Sequence, residues 1–240
     1  MSVDDDGVFV REQYETEANL AARKSVWAAS KTEGPDPREL AFGAIAEAEP
    51  RRVLEVGGGE GELALRIMRE LGRELVGVDQ SPRMVEIQRA KGIDARVGDV
   101  QQLPFADAEF DVAVAAWMLY HVTDVDRALS ELARVLRSEG RLVVVVNGID
   151  HLRELWELAG RDTAVRDSTF RTEIGEEILG RHFPAVDRRD ANGWVTLDDD
   201  AIRMYAASWD AMAPAVDALP LERPLRTRRA TTIFVALKQS

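Results

Sequence analysis

Between about residue 50 and residue 147, short apolar runs alternate with stretches of helical periodicity. Val53–Val56 is a β-rich run that stops at three glycines, and a helical pattern fills Gly61–Leu71. Leu75–Val78 is a second strand ending at Asp79, after which Ser81 as N-cap and Pro82 at the first helical position open a helix to about Ala90. Ala95–Val97 is a short third strand. Phe110–Ala115 is a fourth, almost continuously apolar, as expected of a strand covered on both faces. Asp124 caps a helix to about Leu136 that Gly140 ends, and Leu142–Val146 is a fifth strand. Strands and helices alternating at this spacing predict an α/β fold with a parallel sheet and right-handed crossovers.

The flanks follow a looser pattern. From Arg11 to about Ser30, the residues Tyr14, Ala18, Ala21, Ala22, Val26 and Trp27 recur at roughly helical spacing. Gly34, Pro35 and Pro37 break the chain, and Asp36 caps a second helix to about Glu49. In the C-terminal third, Ile149–Gly160 and Glu173–Arg181 read as helices. Pro184–Leu197 reads as a strand with a turn at Asn192–Gly193, Asp198 starts a helix to about Met212, and Thr231–Leu237 is a last strand. Arg223, Arg226, Arg228 and Arg229 read as a solvated loop leading into an edge strand. Repeats, low-complexity segments and a domain linker are not evident, so residues 1–240 are expected to form a single domain.

Composition narrows the classes. The formal net charge of −12 disfavours a nucleic-acid partner, whose phosphates draw affinity from Lys and Arg. No run of 18 apolar residues predicts a membrane span, and a start containing Asp4, Asp5 and Asp6 is unlike a secretory signal; the expected location is cytoplasmic. The absence of cysteine excludes disulfides, thiolate nucleophiles and Cys-based metal sites, and no metal is expected.

The chemistry concentrates at Gly57, Gly58, Gly59 and Gly61. A strand running into a glycine turn and then a helix lets a ligand approach the backbone closely. The dinucleotide fingerprint is G-x-G-x-x-G, but here the glycines fall at 57, 59 and 61 and position 62 is Glu62. Glu55, Glu60 and Glu62 would repel a pyrophosphate and suit a cationic group such as an α-ammonium. Asp79, 22 residues after Gly57, is placed to accept from two ribose hydroxyls, a feature shared with NAD enzymes. Asp99 is placed to accept from an adenine amine, and the Val100 amide to serve a ring nitrogen.

Taken together, Glu55–Gly61, Gly77–Ser81, Gly98–Val100 with Leu103–Phe105, and Phe110–Val112 through Tyr120–Val122 resemble the class I S-adenosylmethionine (SAM)-dependent methyltransferase family, over about residues 51–147. The resemblance implies a Rossmann-like seven-stranded sheet in the order 3-2-1-4-5-7-6, strand 7 antiparallel, with helices on both faces. It implies that Glu55, Gly57, Gly58 and Gly59 face the methionine part of SAM and Asp79 the ribose. Gln80 and Met84 would lie beside ribose and adenine, Asp99 and Val100 at the adenine edge, and Ala115 and Ala116 near the sulfonium. The pattern from Tyr14 to Leu20, followed by Arg23, resembles a lid helix of bacterial small-molecule methyltransferases and makes Tyr14 a cofactor-side candidate. The implied division is an N-terminal lid over 1–49, a SAM-binding half over 50–148 and a substrate-side half over 149–240.

Methyl transfer from a sulfonium asks the protein mainly for alignment and exclusion of water. Where a base is needed, His121 just beyond the fourth strand is the first candidate, beside the pocket candidate Tyr120; an imidazole with a pKa of about 6.5 suits proton transfer. His151, after the fifth strand, is a second candidate, and His182 reads as a surface residue. Of five tryptophans, Trp117 is placed to reach a pocket, and most of the others read as core. The expected function is SAM-dependent methylation of a small-molecule O or N acceptor by a monomer or homodimer. A non-catalytic SAM-binding protein is the alternative, and an NAD(P)-linked oxidoreductase is disfavoured by Glu62.

Overall fold

The computed structural model describes residues 27, 30–160, 162, 168–208 and 224–239. In chain order the elements are β1 (Lys31–Glu33), α1 (Pro37–Ala46), β2 (Arg52–Val56), α2 (Glu62–Arg66), β3 (Glu74–Asp79), α3 (Pro82–Ala90), β4 (Asp94–Val97), β5 (Phe110–Ala116), α4 (Val125–Val135), β6 (Leu136–Asn147), α5 (Arg153–Leu158), α6 (Thr172–Gly180), β7 (Ala185–Asp190), β8 (Gly193–Leu197), α7 (Asp199–Ala207), β9 (Leu225–Arg229) and β10 (Thr231–Leu237).

The main sheet has seven strands in the order β4-β3-β2-β5-β6-β10-β7. The first five are parallel, and β10 runs antiparallel to both β6 and β7. This is the expected Rossmann-like order. Its central strands are mostly apolar because both faces are covered. Leu54, Val56, Ala113 and Ala115 join Leu129 and Leu132 of α4 in one buried cluster. Val53, Val112 and Val114 join Ala41, Ala44 and Ile45 of α1 and Val85 of α3 in another. The caps match the sequence chemistry: Asp36, Ser81, Asp124 and Asp198 each accept a backbone N–H of the first turn of their helix.

Several elements depart from expectation. The helix expected over Gly61–Leu71 is α2 followed by a π-helical turn, Ile67–Leu71, closed by left-handed Gly72. The helix from Asp124 stops at Val135 without reaching Gly140, which lies inside β6. The β5–β6 register shifts between Phe110↔Leu136 and Val112↔Arg141, and Arg137 pairs with Asp111 across that shift. A strand can thus start four residues before the glycine that looked like a helix stop. The helix expected over Ile149–Gly160 is the shorter α5.

The larger corrections concern the C-terminal third. Pro184–Leu197 is not one strand with a turn: β7 pairs with β10 in the main sheet, whereas β8 lies between β1 and β9 in a separate three-stranded sheet. Arg226, Arg228 and Arg229 are not a solvated loop leading to an edge strand: they lie in β9, and the following strand β10 is interior, while Arg223 lies outside the described residues. Arg226 and Arg228 lie over the Trp194 ring, 4.3 and 6.0 Å from its centroid, while pairing with Glu33 and Glu154. Their apolar stems lie along the sheet and their charges are answered. Arg229 is only 5% exposed and donates to the carbonyls of Ala191, Glu33 and Pro35. Behind this sheet Leu152, Leu155, Trp156, Val195, Ile202 and Tyr205 form a third buried cluster, on which Trp27 packs. Tyr14, Arg23 and the expected N-terminal lid lie outside the described residues.

The three-stranded sheet makes a direct prediction. A Cβ built on Gly193 falls 1.9 Å from the Glu33 carbonyl oxygen, a backbone atom that can move only by parting β1 from β8. Gly193→Ala should lower stability by about 1–3 kcal/mol in urea denaturation, the usual cost of overpacking. An unchanged midpoint would show that this close approach is not required.

Candidate active site

The turn after β2 is built from left-handed backbone. Gly57, Gly59 and Gly61 have φ of +64°, +55° and +76°, where L side chains are strained. Space is short as well: a Cβ on Gly57 would lie 2.8 Å from Cβ of Met118, and one on Gly61 2.5 Å from Cδ1 of Ile93. The 57-59-61 spacing therefore follows from both dihedral angle and packing.

Two side chains from outside the turn hold it. Asp79, at the end of β3, accepts from Gly59 N–H at 3.2 Å through Oδ2 and from Ser81 N–H at 2.9 Å through Oδ1. Gln88 of α3, fully buried, donates from Nε2 to the Gly59 carbonyl at 2.6 Å. Gln88 fits because β3 carries Gly77 opposite it: a Cβ there would lie 2.3 Å from Oε1 of Gln88. Burial pushes the Asp79 carboxyl above its ordinary pKa, and the two backbone donors offset only part of that.

The turn opens on a cleft of about 1480 Å³. Of the residues singled out in the sequence, the structure brings Glu55, Gly57, Gly58, Gly59, Asp79, Gln80, Met84, Val100, Tyr120 and His121 onto its wall. Two others do not line it. Asp99 turns onto Gln101, accepting its backbone N–H at 2.8 Å and its side-chain amide at 3.1 and 3.2 Å. Ala115 is fully buried inside β5, and the next two residues, Ala116 and Trp117, reach the cleft instead.

Trp117 does line the cleft, as expected. It sits at φ +53°, donates its backbone N–H to Val145 at 2.8 Å, and donates from Nε1 to Asn147 at 3.2 Å. The same Asn147 oxygen accepts from Thr231 at 2.9 Å, so the end of β6 and the start of β10 brace the indole. Tyr120 and His121 stack edge to face, with centroids 4.3 Å apart. His151 also lines the cleft; its ring lies 5.6 Å from that of Trp27. Burial, reinforced by the charge of Arg229, lowers its pKa to about 4 against the opposing pull of the Ala230 carbonyl. His182 lies away from the cleft and pairs with Asp126 at 2.9 Å. Trp156 is core and Trp194 stacks under the arginines, while Trp209 lies outside the described residues.

Sequence reasoning did not find Gln88, Asn147, Arg38 or Arg229 as wall or support residues. Gln88 carried no signal of its own; the signal was Gly77, which leaves an otherwise apolar strand without a side chain.

The arrangement fits SAM. The Gly57–Gly59 backbone lines the cleft, the half-buried Asp79 carboxylate can accept from a ribose diol, and Glu55 offers negative charge toward an ammonium. Arg38, from the first turn of α1, is a cation on this wall, and it pairs with Asp36.

Comparison with known proteins agrees with this geometry. A family described as "Methyltransferase domain" matches residues 54–144. An uncharacterized methyltransferase of Mycobacterium bovis is 40% identical over 130 residues, covering 51% of this chain and 53% of its own. A demethylmenaquinone methyltransferase of Thermus thermophilus is 39% identical over 115 residues, covering 45% and 52%. The chain thus spans about half the length of the curated relatives it matches. In fold it is similar to the YcgJ protein of Bacillus subtilis, with a TM-score of 0.62 at 18% identity over 84% of this chain and 99% of that one.

Two predictions follow from the clamp on the turn. Gln88→Leu, which keeps the bulk but leaves the Gly59 carbonyl unsatisfied, should weaken SAM binding by about 1–3 kcal/mol; calorimetry giving wild-type affinity would show that the turn holds without it. Asp79 predicts the pH response. Because its pKa is raised, its charged form is complete only above that raised value, and SAM affinity should fall as pH drops through it, starting above the usual carboxylate range. Asp79→Ala should cost about 1.5–3 kcal/mol of binding, and Asp79→Asn should flatten the pH profile; a profile unchanged in Asp79→Asn would assign the titration elsewhere.

Proposed function

With residues 54–144 belonging to the methyltransferase domain of class I SAM-dependent enzymes, we propose that the protein transfers the methyl group of SAM to a small-molecule acceptor. The observation that carries this reading is a clamped glycine turn and a half-buried Asp79 opening onto the same cleft as the aromatic rings of Trp27, Trp117 and Tyr205. The acidic and backbone groups of this wall suit a nucleoside and an ammonium, and the aromatic rings suit a small acceptor.

When bound, SAM supplies an electrophilic methyl group already activated by its sulfonium. The chain supplies position. Glu55, Gly57, Gly58, Gly59, Asp79, Gln80, Met84 and Val100 hold the nucleoside and amino-acid parts. Asp99, whose carboxylate holds the Gln101 turn, supports that set beside Val100, and Tyr14, the remaining cofactor-side candidate, lies outside the described residues. Ala115 fixes the end of β5 from which Ala116 and Trp117 project. Tyr120 and His121 shape the cleft wall. Alignment of an acceptor with the breaking bond accounts for up to about 7–11 kcal/mol in ideal intramolecular cases.

The acceptor class in this reading is an O or N nucleophile; the relatives named for quinone methylation support a small ring substrate and add ring carbon as a possible target. The reading extends to a single domain over 1–240, acting as a monomer or homodimer in the cytoplasm without a nucleic-acid partner. Among the described residues no helix is long and apolar enough to cross a membrane.

Isothermal titration with SAM, S-adenosylhomocysteine and NADH tests the reading. Micromolar binding of the first two without NADH is the expected result. Binding of NADH alone would replace methyl transfer by hydride transfer, and binding of none of the three would remove the cofactor assignment.

A further inference from the structure

We propose that Arg229 and Asn147 form a carboxylate-binding subsite on the cleft wall, and that the carboxylate belongs to the methyl acceptor, an aromatic monoacid. This inference rests on the methyl-transfer reading above and names the substrate class of that same cleft.

Two donor groups on this wall are fixed in place and left unspent. A guanidinium has five N–H donors, of which Arg229 uses three. Nε donates to the Ala191 carbonyl, and Nη2 donates to the carbonyls of Glu33 and Pro35. Both hydrogens of Nη1 are without a partner among the described residues, on a side chain that is 5% exposed and lines the cleft. Asn147 lines it too. An indole Nε1 can only donate, so the Asn147 atom that meets Trp117 at 3.2 Å is Oδ1, and Thr231 donates to the same oxygen at 2.9 Å. The amide cannot flip without losing both bonds, and its Nδ2 hydrogens have no partner among the described residues. The two residues come from adjoining strand ends: Asn147 of β6 pairs with Thr231 of β10, and Arg229 precedes Thr231 by two positions.

Charge selects the ligand. Asp36 and Arg38 both act on Arg229, but they pair with each other at 3.1 Å, so two cations there face one carboxylate. The nearby acids are engaged as well: Glu33 by Arg226, and Asp150 and Glu154 by Arg153 and Arg228. Burial keeps His151, which also feels Arg229, neutral. The Arg229 guanidinium stays protonated, and it is a buried cation short of an anion. An oxyanion brought to Nη1 gains a charge-assisted hydrogen bond where little water is left to compete. A single unanswered charge and two donor groups suit a planar monoanion, with one carboxylate oxygen on Nη1 and the other on Nδ2. Trp117, braced on Asn147, and Trp27 on the same wall offer flat faces to a ring carrying that carboxylate.

SAM carries a carboxylate of its own, but the location of the two residues favours the acceptor. The stretch matching the methyltransferase domain, residues 54–144, contains the glycine turn and Asp79, and Asn147 and Arg229 lie beyond it. A group that recognises the cofactor common to the family is expected within the shared stretch, and one that recognises a particular acceptor outside it.

The test uses the full chain and two probes of one shape, 2-naphthoate, which is ionised at neutral pH, and its uncharged amide, 2-naphthamide. Each is titrated by calorimetry with and without saturating S-adenosylhomocysteine. The wild type should bind naphthoate at least about tenfold more tightly than naphthamide, and S-adenosylhomocysteine should leave that preference in place. Asn147→Asp keeps an oxygen for Trp117 and Thr231 and replaces the Nδ2 donors by a negative oxygen. It should lower naphthoate affinity at least about tenfold. Naphthamide, which can donate to the new oxygen, should hold or gain, and S-adenosylhomocysteine affinity should stay within about twofold of wild type. Those retained affinities show that the variant is folded and that a loss confined to naphthoate is not a packing defect. Binding of neither probe, equal affinity for both in the wild type, or undiminished naphthoate binding in Asn147→Asp would each overturn the subsite. Exclusion of naphthoate by S-adenosylhomocysteine, or a parallel loss of S-adenosylhomocysteine affinity in Asn147→Asp, would give the carboxylate to the cofactor and overturn the acceptor assignment. Failure of the wild type to bind S-adenosylhomocysteine, with its preference for naphthoate intact, would instead defeat the underlying methyl-transfer reading.

Discussion

Between Gly57 and Gly61 the chain has to turn through left-handed backbone in a space with no room for side chains, and the rest of the site depends on how that turn is held. Two residues far from it in sequence do the holding, Gln88 by donating to one side of Gly59 and Asp79 by accepting from the other. Both come from the β3–α3 unit, so the neighbouring strand must be in register with β2 before the turn can form. Parallel pairing of Val56 with Val78, and the Gly57 N–H donated to the Val78 carbonyl, supply that register. A turn assembled in this way is a property of the sheet and not of a local peptide.

The position of the cleft has the same origin. The helices α1, α2 and α3 cover one face of the sheet and α4 covers the other, with β2 and β5 adjacent at its centre. Crossovers leaving in opposite directions from adjacent strands open a crevice beyond their carboxyl ends, and ligands bind in such crevices in open α/β sheets. The ends of β2, β3 and β5 therefore all point residues into one space: the glycines, Asp79, and Ala116 with Trp117. The same reasoning explains the shift from Ala115 to Ala116. Alternation along β5 turns Ala115 into the cluster under α4, and only beyond it does the strand leave the sheet.

The half of the chain that builds this crevice was legible because its signals are local. Apolar runs, Ser81–Pro82, Asp124 and the glycines each declare an element without reference to anything distant, and the strand order followed. The C-terminal third was not, and the reason is physical. Whether Arg226, Arg228 and Arg229 form a loop or a strand is decided by partners distant in sequence, namely β8 and the carboxylates of Glu33 and Glu154. Arginine has a long apolar stem and a charge that can be answered, so composition alone reads it as exposed. Asn192–Gly193 marked the break between β7 and β8, but nothing local says that the chain there leaves one sheet for another. Gln88 was silent for a related reason: a glutamine in a helix pattern reads as surface until Gly77 is placed opposite it.

The buried Arg229 ties these two kinds of structure together. It donates to Ala191 at the crossing between sheets and to Glu33 and Pro35 ahead of α1, so the wall of the cleft and the segment entering the first helix share one anchor. A buried guanidinium that satisfies three carbonyls cannot be removed without leaving those oxygens unpaired, which makes it a strong constraint on geometry whatever its net effect on stability. It also leaves a positive charge beside a ring that burial keeps neutral. The same cleft wall also carries two acidic side chains, buried Glu55 and half-buried Asp79. The folding of β9 against β8 is what buries Arg229 and brings that positive charge to the cleft wall.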